Sequence, residues 1–247
     1  MLRYLRGEIY RLLRKKSFYI YFGAFALGYV ILAFIRMGSS GERQMLKDAE
    51  SLFMFLPPVV GSYLFAAIYT DDLHAKNLPA LIGFGVGRIR IVLSKLLLMS
   101  LFGTVLLALV PLFMYAVHTV FGASPTGAVF GEVYAWGLKA LMETVAFASL
   151  SAVAVYGLQR ATFGIAVYLL LSLGVVSQLL SALFRWEAVH ELLPGLAEHL
   201  MAGISLRMLM GLMGNGAVVL PAVEYAVYVT VAAALAALAF HKKELEF

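Results

Sequence analysis

The chain has 247 residues, 62% of them hydrophobic and 13% charged, with a formal net charge of +5, whereas soluble domains run at about 45–50% apolar and about 25% charged. This balance excludes a water-soluble globular domain and points to an integral membrane protein, in which the excess of positive residues reports topology and not nucleic-acid binding. No cysteine is present, which excludes a disulfide framework and thiolate metal sites.

Residues 1–16 place Leu2, Leu5, Ile9, Leu12 and Leu13 on one helical face, with Arg3, Arg6 and Arg14 elsewhere round the wheel. This predicts an amphipathic helix lying on the membrane interface, its basic face toward anionic headgroups. The apolar run that follows lacks an A-x-A cleavage site at its end, so it is expected to be a retained span. Runs long enough to cross a bilayer predict six spans near 17–35, 52–69, 96–117, 133–157, 161–184 and 222–240. The expected fold class is therefore all-α integral membrane, with one six-span domain over 17–247.

Six spans put both termini on one side. That side then holds the basic residues of 1–16 with Lys76, Arg88, Arg90, Lys95, Arg160, Lys242 and Lys243, against Arg36, Arg43, Lys47, Arg185 and Arg207 on the other. The bias predicts cytoplasmic termini. The connection 118–131 carries no Lys or Arg, as suits an external loop.

The segment 71–90, DDLHAKNLPALIGFGVGRIR, interrupts the apolar pattern. Asn77 suits an N-cap, Pro79 the first helical turn, and Gly83 or Gly85 the end. A helix of about two turns is too short to stand alone in water, so Leu78, Leu81 and Ile82 need a partner surface, the membrane face, or the ends of this protein's own spans. Arg88, Arg90 and Lys95 then lead into the third span at headgroup level.

In the fourth span Lys139 and Glu143 lie at i, i+4 on one face, where they can neutralise each other. Intramembrane ions are costly and often functional, so the pair is a candidate for a transport path or gate, with Gln178 in the fifth span and Glu224 at the start of the sixth. Residues 185–220 are too apolar for a solvated loop. They predict short helices dipping into the outer leaflet, broken at Pro194, at Gly203 and across 211–216.

Catalytic motifs are missing. There is no G-x-x-x-x-G-K-[ST] loop, Gly83, Gly85 and Gly87 read as a turn, and HELLPGLAEH at 190–199 lacks the histidine pair of H-E-x-x-H. His74, His118 and His241 read as isolated residues near span ends. No metal site, cofactor site or enzyme is expected.

The order of acidic residue, spacer, small leucine-bearing helix, glycine turn, Arg and then Lys resembles the segment between the second and third spans of type-2 ABC transporter permeases. Here Asp72, Lys76, Leu78, Leu81, Gly85, Arg88 and Lys95 carry it, with Asp72 and Lys76 standing where many relatives have Glu and Gly. The N-terminal basic helix, six-span plan, apolar segment before the last span and charged tail match the layout of the family. The resemblance implies a coupling helix in which Asp72, Lys76, Leu78, Leu81, Ile82, Arg88 and Lys95 meet a cytoplasmic ABC ATPase dimer. It also implies a second permease subunit, identical or related, with ATP and Mg bound by the ATPase and no cofactor in this chain. The further implications are a prokaryotic inner or plasma membrane and export of a hydrophobic or amphipathic substrate, a peptide above all. The alternative is an ATP-independent secondary transporter or channel, which would use paired intramembrane ions and often an internal repeat.

Overall fold

The structure is a computed structural model and describes residues 2–36, 42–70, 81–83, 85–122, 126–184, 186 and 195–242. The described residues are helical almost throughout. Helix α1 spans Leu2–Leu13, α2 Lys16–Ile35, α3 Glu42–Thr70, α4 Arg88–Val120, α5 Gly127–Leu158, α6 Ala161–Ser172, α7 Val175–Phe184, α8 Met201–Leu212 and α9 Val219–Lys242. A 3-10 turn, Leu196–His199, precedes α8. Five of these helices are long and apolar enough to cross a membrane, and α6 with α7 makes a sixth if the bent pair is one span.

Helix α5 is the centre, packing against α3, α4, α6, α8 and α9. Its inward face is built from small residues, among them Ala140, Ala146, Ala148, Ser149, Ser151 and Ala152, all buried, and small residues let membrane helices approach closely. The α4–α5 crossing is reciprocal: a methyl on Gly103 would overlap Leu141 of α5, and one on Gly137 would press on Leu107 of α4. Helix α2 is the least integrated span, with only Tyr29 and Ala33 buried.

Arg88 at the start of α4 bonds the last turn of α9, and α1 packs on α4. The N-terminal helix and the end of α9 therefore share one end of the bundle, called proximal below. At the opposite, distal end Glu42 of α3 accepts a bond from the Thr126 amide at 2.9 Å.

Several boundaries differ from expectation. The second span begins ten residues early, at Glu42, because Met45, Ala49 and Phe53 continue the buried stripe of the apolar run through a charged stretch. The 161–184 run is not one straight helix: it bends by 56° between α6 and α7, at Gly174, whose φ is +74°. Between 195 and 220 the turn at Gly214 agrees with the expected break, but Gly203 lies inside α8. It breaks nothing there; its missing side chain leaves room for the Glu198 backbone. Pro194 lies outside the described residues.

Candidate functional site

The proximal end carries the segment that joins α3 to α4. Residues 81–83 are helical, and the Val86 amide donates to Leu81 O at 3.1 Å while that of Gly85 donates to Ile82 O at 2.9 Å. This pair of bonds is the Schellman motif, which needs a left-handed residue, and Gly85 supplies it with φ +81°. Gly85, not Gly83, therefore ends the helix. Leu81 and Ile82 are half-buried and pack with Val86 against this protein's own core, and part of their surface remains open. Asp72, Lys76 and Leu78, with Asn77 and Pro79, lie outside the described residues.

Arg88 turns inward. Its guanidinium lies 5.5 Å from the Phe240 ring and donates to Phe240 O and His241 O, each at 2.9 Å, so it caps carbonyls that the end of α9 leaves without helical partners. Lys95 also turns inward. It shares the buried stripe of α4 with Ile91, Leu98, Met99 and Phe102, is 1% exposed, and donates to Glu8 Oε2 at 2.9 Å. The same oxygen accepts from Arg11 Nη2 at 2.7 Å. Helix α1 is thus docked on the bundle by a buried ion pair, with Leu12 fully buried and Leu5 and Ile9 partly so. Arg6 and Arg14 stay exposed. A charge on the apolar stripe of α1 and an opposite charge on that of α4 were the available signal, and the reading of 1–16 as an interfacial helix passed over Glu8.

Midway along α5, Lys139 Nζ donates to Glu143 Oε1 at 2.8 Å, as their i, i+4 spacing predicts. Ser205 Oγ of α8 donates to the same oxygen at 2.7 Å. Two residues on, Arg207 pairs with Glu224 of α9, which also faces His199 Nδ1 at 3.2 Å. Helix α8 therefore ties α5 to α9 through two acidic residues. Gln178 is exposed on α7, a helix with no buried residue, and stands apart from these groups. The four path candidates form two clusters bridged by α8 plus one separate residue.

At the distal end His118 is not isolated. Its Nε2 lies 3.0 Å from Tyr29 Oη and 3.6 Å from Asp48 Oδ2, and Asp48 also pairs with Arg36 and accepts from Gln44 at 2.9 Å. These residues pin the loosely held α2 to α3 and α4. Below the pin an apolar crevice of about 510 Å³ opens between the three helices, lined by Phe22, Phe25, Leu52, Leu106 and Phe113 among others. A second of about 440 Å³ runs along Val223, Val227, Val231 and Leu235 of α9 and is headed by Glu224 and His199.

Helix α3 is irregular where it crosses the middle of the bundle. It winds as a π-helix over Leu56–Gly61, as α over Ser62–Phe65, and as π again over Ala66–Thr70. Pro57 and Pro58 lack amide hydrogens and would press on carbonyls one turn back in a regular α-helix. Side chains of three elements take up carbonyls in this stretch: Tyr168 Oη of α6 donates to Pro57 O at 3.1 Å, and Val59 O accepts from Tyr21 of α2 at 2.7 Å and from Ser62 at 2.9 Å. Among the described residues no group of three or more His, Asp or Glu side chains is placed to hold a metal ion. Compared with known proteins, the chain matches no family model, no curated protein and no solved structure.

Proposed function

We propose that this chain is the permease subunit of an ATP-driven exporter of the type-2 ABC kind. It moves a hydrophobic or amphipathic substrate, most characteristically a peptide, out across a prokaryotic inner or plasma membrane. The energy comes from a separate cytoplasmic ATPase dimer that binds ATP and Mg, and a second permease subunit completes the path. In this reading the proximal end, with both termini, faces the cytoplasm.

The observation that carries the reading is the seat of residues 81–88. A helical turn closed by a Schellman motif sits between the second and third long helices. Through Arg88 it is bonded to the last helix, and it borders the end at which α1 is locked to α4 by Glu8 and Lys95. A push on that turn is therefore delivered to several helices at once, as a coupling element requires. The apolar crevices beside α2 and α9 suit a greasy or amphipathic cargo, since ligand sites fall at about 300–1,000 Å³ and are lined mainly by apolar side chains. An ATP-independent carrier would depend on Lys139 and Glu143 exchanging partners; here they hold each other, and Ser205 holds Glu143.

The test is reconstitution with the candidate ATPase subunit in lipid vesicles. ATP hydrolysis should rise with amphipathic peptides and fall in Leu81→Asp and Leu78→Asp, because each leucine docked on a partner contributes about 1.5–3 kcal/mol. Uptake or release by the purified chain alone, driven by an ion gradient and abolished by Glu143→Gln, would sink the proposal.

A further inference from the structure

Five buried aromatic rings from four helices stand in one column. Tyr168 of α6 stacks on Phe65 of α3 at 5.0 Å between centroids, and Phe65 stacks on Tyr69 at 4.8 Å. Tyr69 meets Tyr156 of α5 edge-on at 6.4 Å, and Tyr156 stacks on Phe240 of α9 at 4.7 Å. The Arg88 guanidinium lies over the Phe240 ring. All five rings are 0–2% exposed. The column starts at the turn that ends residues 81–88 and reaches the middle of the bundle, where the Tyr168 hydroxyl meets Pro57 O.

At its upper end stands the irregular stretch of α3. Ser62–Phe65 is a short α stretch with a π turn on either side. A π turn holds one more residue than the α turn it replaces. Passing that residue from one π turn to the other rotates the stretch between them by about 100°, the rotation per residue of a helix with 3.6 residues per turn. The present register is fixed from two sides. Tyr63 stacks face to face on Tyr21 of α2 at 4.4 Å, and Phe65 stacks on Tyr168. Gly61 is required at this point, because a methyl there would overlap the Tyr168 hydroxyl.

We propose that Ser62–Phe65 is a rotatable collar in α3, and that the aromatic column under Arg88 sets its register from the proximal end. The column turns a shift of residues 81–88 into a change of the α2–α3 contact beside the 510 Å³ crevice. Coupling of this kind needs a contiguous packed chain and a two-state element that both ends bias; the column is the first and the paired π turns are the second. The assignment deepens the exporter reading by naming its internal linkage and rests on it for the source of the push. The collar itself is tested without any partner, so the two can fail separately.

The experiment is hydrogen–deuterium exchange of the purified chain in lipid nanodiscs. Wild type is compared with Phe240→Leu, Tyr156→Leu and Arg88→Lys, and with Phe130→Leu as an aromatic control. Phe130 contacts Tyr115 and Tyr134 outside the column. Phe240→Leu and Tyr156→Leu should each raise exchange of the 59–66 amides by about threefold to tenfold, the value expected for loss of one aromatic pair, and Arg88→Lys should raise it in the same direction. Phe130→Leu should leave them unchanged. Arg88→Lys keeps every ring in place and so reports on the linkage even if a ring variant loosens the whole bundle. Exchange that rises only near residue 240, or rises equally in all peptides for every column variant, overturns the proposal.

Discussion

Removing either half of the buried pair that docks α1 has unequal consequences. Glu8→Leu takes away the carboxylate that accepts from Lys95, whose side chain is 1% exposed. Breaking a buried ion pair by removing one partner costs about 3–5 kcal/mol. Lys95→Met also breaks the pair, but Glu8 keeps the guanidinium of Arg11 at 2.7 Å. The loss is then that of one charge-assisted bond, about 1.5–3 kcal/mol. At about 2–4 °C per kcal/mol for a chain of this size, Glu8→Leu lowers the melting midpoint on the order of 10 °C and Lys95→Met by roughly half as much. The double variant Glu8→Leu/Lys95→Met should recover most of the loss, because replacing a whole buried pair by apolar groups is often neutral. The assay is a thermal melt in mild detergent, with trypsin cleavage at the exposed Arg6 and Arg14 reporting release of α1. A Lys95→Met cost equal to that of Glu8→Leu, or a double variant as unstable as the two losses summed, would refute the reasoning.

Gly61→Ala should cost about 1–3 kcal/mol by overpacking, since the new methyl meets the Tyr168 hydroxyl. Adding Tyr168→Phe should return part of that in a thermal melt, although Tyr168→Phe alone loses about 1 kcal/mol with its bond to Pro57 O. Ser205→Ala removes a donor to the Glu143 carboxylate and should cost about 1.5–3 kcal/mol. Gln178→Ala, on the exposed face of α7, should stay within about 0.5 kcal/mol in the same assay.

Runs of apolar residues reveal the spans because length against bilayer thickness is a one-dimensional property, and the Lys139–Glu143 bond was legible because i, i+4 is local geometry. Glu8 with Lys95, Asp48 with His118 and Arg207 with Glu224 were not legible as pairs: each joins two helices whose rotation about their axes is set by packing, which the order of residues does not state. The bend at Gly174 was hidden for a related reason, since a glycine within an apolar run serves equally as a break or as a close-packing position. Gly203, read as a break, is the second kind. The π turns follow from Pro57 and Pro58 only in part. Two adjacent prolines mark a distortion, but the tyrosines that accommodate it come from α2 and α6.

The coupling role of residues 71–90 is the central claim, and affinity purification from the native membrane in mild detergent tests it most directly. A nucleotide-hydrolysing P-loop subunit should co-purify, and Leu81→Asp should lose it while the chain keeps its elution position. Recovery of this chain with no ATPase partner and no ATP hydrolysis would contradict the account and turn attention to Lys139, Glu143 and ion-driven transport.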